Sequence, residues 1–436
     1  MLSLFRDPHK INPLGSISIC PKVDGFFSFG PFNSNLQKRW KKPVDSAQTR
    51  LENRTRDLKL DKLMHQMKRL RIILKLHELM SKAKDGYTSV QIVSRWRNIV
   101  GIHTGVGDFL RKYPHVFEIY RHPSRKNVCC RVLKDFNELV MEEARIVEES
   151  SDEIAEKVKK LLMMSNQGSL HLHSLWLVRR ELGLPDDFRT SIIDRYPDEF
   201  SVVYPDTVVL VRRDESLAEA KVEKWREREY IDKWLSEYET KYAFPINFPT
   251  GFRIETGFRE KLKNWQRLPY VKPYEKREVI RVKTCGGTER FEKRAVGILH
   301  EFLSLTVEKF VEVERLSHFR RDFNMEVNMR ELLLKHPGIF SISTKGSTQT
   351  VILREAYSKG CLIEPNPIYE VRRKMLYLVS LGSLYSRQMG QLNELEERYK
   401  KESSCELVDG PCDGDWDILQ NSDEQLDDIN EISRDP

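Results

Sequence analysis

The chain has 436 residues, of which 39% are hydrophobic and 32% are charged, so it can form two or three domains with buried cores. Its formal net charge is +7, but residues 402–436 hold twelve acidic residues against one arginine, which leaves about +18 on the rest of the chain. A basic body with an acidic tail indicates a polyanionic partner, most often nucleic acid. A basic protein with a solvated tail and no such partner fits the composition equally well.

The sequence lacks the motifs of common enzymes and metal proteins. It has no glycine-rich phosphate loop, no Gly-x-Ser-x-Gly nucleophile elbow and no zinc-deaminase motif. Its seven cysteines form no Cys-x-x-Cys pair, which argues against a disulfide framework or a zinc site. His171 and His173 could share one face of a strand, but they stand without the neighbours that a metal site needs. We therefore predict no catalytic residue, no metal ligand, no cofactor and no small-molecule substrate, and no apolar run is long enough to span a membrane.

The chain begins with residues 1–36, which show no periodicity and are poor in acidic residues. A basic arm follows, because residues 38–75 contain thirteen Lys/Arg against four Asp/Glu. Its first part is expected to be extended and able to follow a phosphate backbone. From about Leu58 the apolar residues fall at helical spacing and predict an amphipathic helix. The cations expected on the solvated face of that helix are Arg69, Arg71 and Lys75.

One phrase occurs three times further along. It reads FLRKYPHVFEI at 109–119, IIDRYPDEFSV at 192–202 and LLLKHPGIFSI at 332–342. The residue before a proline is forced out of the α region, so each phrase should end a helix at its Tyr or His. The Phe three residues after each proline opens an alternating run, and a second such run follows a turn. Each copy therefore predicts a helix, a proline stop and a β-hairpin.

The three copies predict an α+β, mainly helical chain with three winged-helix-like modules, a helical linker and disordered termini. The predicted segments are 37–135 (basic arm and first module), 136–214 (second module), 215–280 (helical and aromatic linker), 281–364 (third module), 365–401 (helical extension) and 402–436 (acidic tail). In the third module we expect a helix over Val307–Phe319. Aligned on their prolines, Arg97, Arg180 and Arg320 occupy the same position.

The linker interleaves aromatic and cationic residues. Such interleaving can provide stacking platforms for unpaired bases. We favour packing of the linker onto its neighbours for most of these rings. The aromatic residues concerned are Trp225, Trp234, Trp265, Tyr270 and Tyr274.

Together, the basic arm, the three proline phrases and the linker sequence FPTGFRIETGFREKLKNWQRLPYVKPYE resemble the plant organelle RNA recognition (PORR) domain family, from about Lys38 to about Ile363. The chain is most similar to the mitochondrial splicing factors of that family named "what's this factor". The resemblance implies an imported plant protein, with residues 1–36 as a transit segment. It also implies binding of organellar intron RNA and promotion of group II intron splicing without catalysis, possible partners being other splicing factors.

Two alternatives to this RNA-binding role stay open: a winged-helix DNA-binding protein of the organelle nucleoid, and a protein-interaction scaffold of a splicing complex. The compartment implied is the mitochondrion, with the chloroplast as the alternative. Because the major groove of A-form RNA is too narrow for a helix, contacts are expected on helix flanks, hairpins and grooves between modules. The candidate RNA-binding residues are Lys38, Arg39, Trp40, Lys41, Lys42, Arg50, Arg54, Arg56, Arg95, Arg97, Arg111, Lys112, Arg179, Arg180, Arg320 and Arg321.

Overall fold

A computed structural model describes residues 55–83, 86–233, 237–254, 256–275, 287–345 and 348–382. All of them belong to one compact unit, Arg50–Pro436. The fold is α+β, and the described residues form three antiparallel sheets of three strands and one of two. The predicted transit segment, residues 38–54 of the basic arm and the acidic tail lie outside these ranges. No helix within them is both long and apolar enough to cross a bilayer.

The first repeat builds a unit of helices and a three-stranded sheet. Its elements are α1 (Leu58–Ser81), β1 (Thr88–Ser89), α2 (Val90–Arg95), α3 (Arg97–Val100), α4 (Val106–Arg111), β2 (Phe117–Arg121) and β3 (Val128–Val132). The Asp57 side chain accepts a hydrogen bond from the Leu60 backbone N–H at 3.2 Å and so caps α1. The proline stop closes a turn in which the Phe117 N–H donates to the Tyr113 carbonyl at 2.9 Å. Strand β3 lies between β1 and β2.

The second repeat follows the same order after a connecting helix. Its elements are α5 (Lys134–Glu149), α6 (Ser151–Met164), β4 (Ser169–His171), α7 (Leu172–Leu177), α8 (Arg179–Leu182), a π-helix (Arg189–Ile193), β5 (Phe200–Val203) and β6 (Thr207–Leu210). His171 ends β4 whereas His173 lies in α7, so the two imidazoles do not share a strand face.

The π-helix marks an extra residue in the second repeat. Left-handed residues at Gly101, Gly183 and Asn324 end the equivalent short helical segments of the three units. The following proline lies one residue further along in the second unit than in the other two. A π-turn accommodates one added residue within a helix. The inserted residue therefore shifts any alignment that is based on the prolines.

The hydrogen bonds at these helix ends give the corrected alignment. The bonds that define it run from Ile102 N–H to the Arg97 carbonyl (3.0 Å), from Leu184 N–H to the Arg179 carbonyl (2.7 Å) and from Met325 N–H to the Arg320 carbonyl (2.8 Å). The residue equivalent to Arg97 and Arg320 is therefore Arg179. The alignment that placed Arg180 there is wrong, because it does not account for the inserted residue.

A linker and the third repeat complete the described chain. The linker holds a 3₁₀ turn (Glu215–Leu217), α9 (Lys221–Lys233), α10 (Glu237–Thr240) and α11 (Phe258–Arg267). The third unit and its extension comprise α12 (Gly287–Leu305), β7 (Phe310–Glu312), α13 (Val313–Ser317), α14 (Met329–Lys335), β8 (Phe340–Ser343), β9 (Thr350–Leu353), a 3₁₀ turn (Arg354–Ala356), β10 (Tyr357–Ser358), β11 (Cys361–Leu362) and a helix over 367–382. The helix expected over Val307–Phe319 is wrong, because Phe310 and Val311 pair with β9.

The linker packs against α12. Nζ of the buried Lys293 donates to the carbonyls of Trp265, Gln266 and Leu268 at 2.6, 2.9 and 2.8 Å, which satisfies the end of α11. Tyr270 and Tyr274 are buried, which confirms the packing interpretation for these two rings. Trp225 and Trp265 are partly buried against the same core, and the side chain of Trp234 lies outside the described residues.

A buried ion network joins the three units. Arg71 of α1 lies 3.1 Å from Glu181 of the second unit, and 3.7 and 3.2 Å from Glu308 and Glu312 of the third. Burial alone would lower the pKa of Arg71, but the three carboxylates together raise it. The expectation that Arg71 lies on a solvated face is wrong, since that face of α1 meets carboxylates of other units.

Two further arginines extend this network. Arg315 of α13 contacts Glu181 at 2.7 Å, and Arg372, in the helix over 367–382, contacts Glu143 of α5 at 2.7 Å and Glu308 at 3.1 Å. These cations neutralise internal carboxylates and are therefore not available to bind an external ligand.

Candidate nucleic-acid interface

The first unit carries a basic surface on α4 and the β2–β3 hairpin. Between Gly101 and Val132 the sequence has six Lys/Arg against two Asp/Glu. Both acidic side chains are paired, Asp108 with Arg111 at 2.8 Å and Glu118 with Arg131 at 2.7 Å. The exposed cations that define the basic surface are Arg111, Lys112, Arg121, Arg125, Lys126 and Arg131.

The end of the hairpin presents the cations that the sequence interpretation misses. Arg121, Arg125 and Lys126 are exposed and make no ion pair within the described residues. Two hydrogen bonds close the turn: His122 N–H donates to the Asn127 carbonyl and Lys126 N–H to the His122 carbonyl, both at 2.9 Å. The candidate residues chosen from the sequence omit these side chains, although hairpins were among the expected contact sites and the turn RHPSRK at 121–126 is visibly cationic.

Aromatic rings lie beside the cationic turn. His122 Nδ1 accepts hydrogen bonds from the N–H groups of Ser124 and Arg125 at 3.3 and 3.2 Å. Nε2 therefore carries the hydrogen of the neutral ring and donates to Tyr87 Oη at 3.0 Å. The Arg131 guanidinium lies 5.6 Å from the centroid of the Tyr120 ring. Cations interleaved with aromatic rings are typical of surfaces that bind single-stranded nucleic acid.

The corresponding stretches of the other two units differ in charge. Between Gly183 and Leu210 there are two Lys/Arg against six Asp/Glu, and between Asn324 and Leu353 there are three against two. The second unit would therefore repel a phosphate backbone at the position where the first attracts it.

The hairpin of the third unit is covered by other parts of the chain. Every residue of β8 and β9 is buried. The Lys68 ammonium of α1 donates to the Lys345 carbonyl at 2.5 Å and to the Thr348 carbonyl. Burial is the main cause that lowers the pKa of Lys68 to about 8. The third hairpin serves as a docking element for α1.

Several of the predicted residues lie at the ends of short helices. Arg95 is exposed at the end of α2 without an ion pair among the described residues. The Arg97 guanidinium donates to the carbonyls of Ile102 and His103 at 3.0 and 2.6 Å. Arg320 donates to the Met325 carbonyl at 3.4 Å, and the neighbouring Arg321 is exposed. Arg97 and Arg320 therefore hold the ends of their helical segments while remaining at the surface.

Arg179 and Arg180 of the second unit are engaged within the protein. Arg179 donates to Asp186 at 2.7 Å and lies 4.3 Å from the Trp176 ring centroid. Arg180 contacts Glu78 of α1 at 3.0 Å, and burial lowers its pKa despite this partner.

The remaining predicted residues belong to the basic arm. Arg56 is half exposed and lies 3.7 Å from Asp61. The predicted residues that lie outside the described ranges are Lys38, Arg39, Trp40, Lys41, Lys42, Arg50 and Arg54.

The first unit contains two adjacent cysteines. Cys129 and Cys130 are buried in β3, and burial raises the pKa of Cys130 to about 12. Its Sγ donates to the Thr88 carbonyl at 3.4 Å, which fits a packing role. The described ranges contain no group of three or more His, Cys, Asp or Glu side chains placed to hold a metal ion.

A comparison with known protein families identifies the family of this chain. The model of the plant organelle RNA recognition domain matches residues 55–384, which include all three repeats. The chain belongs to the plant organelle RNA recognition domain family. The resemblance inferred from the repeated phrases is thereby confirmed.

Curated relatives within the plant organelle RNA recognition family align over most of the chain. Protein ROOT PRIMORDIUM DEFECTIVE 1 of Arabidopsis thaliana is 35% identical over 78% of this chain and 87% of its own. Protein WHAT'S THIS FACTOR 1, chloroplastic, of Zea mays is 29% identical over 87% of this chain and 76% of its own. Protein WHAT'S THIS FACTOR 9, mitochondrial, of Arabidopsis thaliana is 27% identical over 76% of this chain and 85% of its own. No solved structure matches the chain.

Proposed function

We propose that this protein binds organellar intron RNA and promotes group II intron splicing without catalysing it. The observation that carries the proposal is the basic surface of the first unit, in a chain whose family is defined by organelle RNA recognition. Relatives named chloroplastic and mitochondrial support an organelle. The proposed compartment is the mitochondrion, with the chloroplast as the alternative and residues 1–36 as the transit segment.

The mechanism follows from charge and shape. Each unit has the order helix, strand, helices and hairpin, which supports a winged-helix-like module. The hairpin of the first unit, rather than a helix, approaches the RNA, because the major groove of A-form RNA excludes helices. Its cations neutralise phosphates and stabilise a folded intron that is its own catalyst. The first part of the basic arm, from Lys38 to Arg56, adds further phosphate contacts, and other splicing factors are proposed partners.

The test compares two variants of the full chain that lose the same charge. The first replaces Arg121, Arg125 and Lys126 together by Gln. Fluorescence anisotropy would follow a labelled single-stranded RNA from a group II intron at several salt concentrations. Each phosphate contact with a single strand contributes roughly 0.7 to the slope of log K against log salt, so this variant should reduce the slope by about 2.

The matched control replaces three exposed arginines of the second unit, Arg189, Arg195 and Arg212, by Gln. We expect the control to keep the wild-type slope, because it alters the unit with an excess of acidic residues. An equal reduction of the salt slope in both variants would show that binding responds to net charge alone. Wild-type binding that does not change between low and physiological salt would contradict the proposal. Displacement of the RNA by duplex DNA at equal concentration would favour the DNA-binding alternative.

A further inference from the structure

A pocket of about 320 Å³ opens beside the basic surface of the first unit. It lies between the end of α1, strand β1, helix α2 and the hairpin turn, and its lining includes Tyr87, Ile92 and Trp96. The exposed Lys82 and Arg125 also line it and place positive charge at its opening. Its volume is at the lower end of the range of about 300–1,000 Å³ for small-ligand sites, so it suits one nucleotide and not a helix.

The aromatic walls of the pocket are held in place before any ligand arrives. Tyr87 is fixed by its hydrogen bond with His122 and by edge contact with Tyr120, the ring centroids being 6.3 Å apart. Trp96 is half-buried and packs against the core of the first unit. The Ile92 side chain is 43% exposed, although it is large and apolar. A rigid apolar wall that faces solvent is a surface on which a planar ring can stack.

The same face of the third unit is covered. The hydrogen-bond register of the sheets and the helix ends make Glu312 and Arg315 the equivalents of Ser89 and Ile92. Glu312 pairs with Arg71 of α1, and Arg315 pairs with α8, so other units occupy that face. In the first unit the face is open, and Ser89 Oγ is buried without a hydrogen-bond partner among the described residues.

We infer that this pocket holds one unstacked base of a single-stranded RNA. The inference rests on the proposed RNA binding and names a site for it. The base stacks on Tyr87 and Trp96, while Arg125, together with Lys82, neutralises the adjoining phosphate. Lys82 is only loosely paired with Glu78, at 3.4 Å. Stacking accepts any base, since each has a π face, and the exposed Asn127 amide offers a donor and an acceptor to the base edge. The positive rim favours a nucleotide over an apolar protein segment.

The experiment fills the pocket without changing its charge. Ile92→Trp in the full chain adds bulk to an exposed side chain that lines the pocket. The matched control is Ile99→Trp, because Ile99 is 68% exposed on α3 and does not line the pocket. The probes are a labelled 12-nucleotide oligouridylate and a 12-base-pair RNA duplex. We expect Ile92→Trp to bind the single strand roughly tenfold more weakly, as for the loss of one stacked base. Its duplex affinity and salt slope should match the wild type.

Wild-type affinity of Ile92→Trp for the oligouridylate would overturn the pocket assignment, and a pocket that holds a protein segment would give that result. A wild-type chain that binds neither probe at low salt would overturn the proposed function as well. Crosslinking of 4-thiouridine provides a second measurement. The wild-type crosslinks should include the peptide with Tyr87 or Trp96, and Ile92→Trp should lose them. Crosslinks confined to other peptides would contradict the assignment.

Discussion

His336 precedes the proline of the third repeat and packs against Trp265, with ring centroids 4.6 Å apart. Burial, assisted by the charges of Lys335 and Lys293, lowers the pKa of His336 to about 4. A histidine in an unfolded chain titrates near pH 6.5. Between these values the unfolded chain binds a proton that the folded chain does not bind. Stability from this group is therefore present above about pH 6.5 and is lost as the pH falls towards 4.

We predict that this group alone lowers the free energy of unfolding by about 2 kcal/mol between pH 7.5 and pH 5. His336→Tyr should remove that part of the decline, since Tyr113 and Tyr196 fill the position in the other repeats. Urea unfolding at the two pH values measures it, and the exposed His115→Tyr is the control that should keep the decline. The same pH dependence in wild type and His336→Tyr would refute the assignment.

At the scale of single elements, the hairpins could be predicted from the sequence and the short strands could not. Phe117, Phe200 and Phe340 begin β2, β5 and β8, as the proline phrases predict, because a proline stop and an alternating run are local features. The additional strands β1, β4 and β7 have two or three residues and owe their pairing to strands more than 30 residues away. Such a strand is too short to show a hydrophobic period in the sequence. The sequence therefore predicts a helix at Phe310–Glu312, where the structure has β7.

The same limit applies to the candidate interface. The sequence shows which residues are cationic, but the carboxylates that form ion pairs with Arg71 and Arg180 come from distant segments. Burial of these two arginines follows from packing between units. The exposed Arg111 and Lys112 could be selected because they end a helix at a proline stop. The inserted residue of the second unit is recognised by counting from the left-handed Gly183 to the next proline, and the sequence alone does not show that Gly183 is left-handed.

Gly101 and Gly183 end equivalent helical segments and provide a matched pair of substitutions. Both have positive φ, +86° and +77°. A Cβ on Gly101 meets nothing within 4 Å, whereas one on Gly183 would lie 2.9 Å from Ile368 Cδ1 and 3.1 Å from Val307 Cγ2. Gly101→Ala should therefore lower the free energy of unfolding by about 1 kcal/mol, which is the strain of a left-handed alanine. Gly183→Ala should lower it by about 3 kcal/mol, because overpacking against Ile368 and Val307 is added to that strain.

Urea unfolding of the two alanine variants measures this difference. A larger loss for Gly183→Ala would show that the second unit packs tightly against the third unit and the helix over 367–382. Equal losses in the two variants would contradict that packing.

For the whole molecule, the repeats share an element order but differ in role. Phe310 and Ile352 of the third unit belong to the same buried cluster as the first unit, whereas most of its core residues cluster with the second unit and the linker. The third unit therefore connects the other two, and its hairpin is covered. The first unit keeps its hairpin exposed and carries the positive charge. We propose that this hairpin binds organellar intron RNA.

The most direct test is sequencing of RNA that is crosslinked in isolated organelles to the full chain and to the variant with Gln at positions 121, 125 and 126. We predict that the wild-type chain enriches group II intron RNA over an untagged control, and that the variant loses most of this enrichment. Unspliced precursor should accumulate in organelles that contain only the variant. Enrichment no greater than in the control, or equal enrichment by the variant with normal splicing, would contradict the claim.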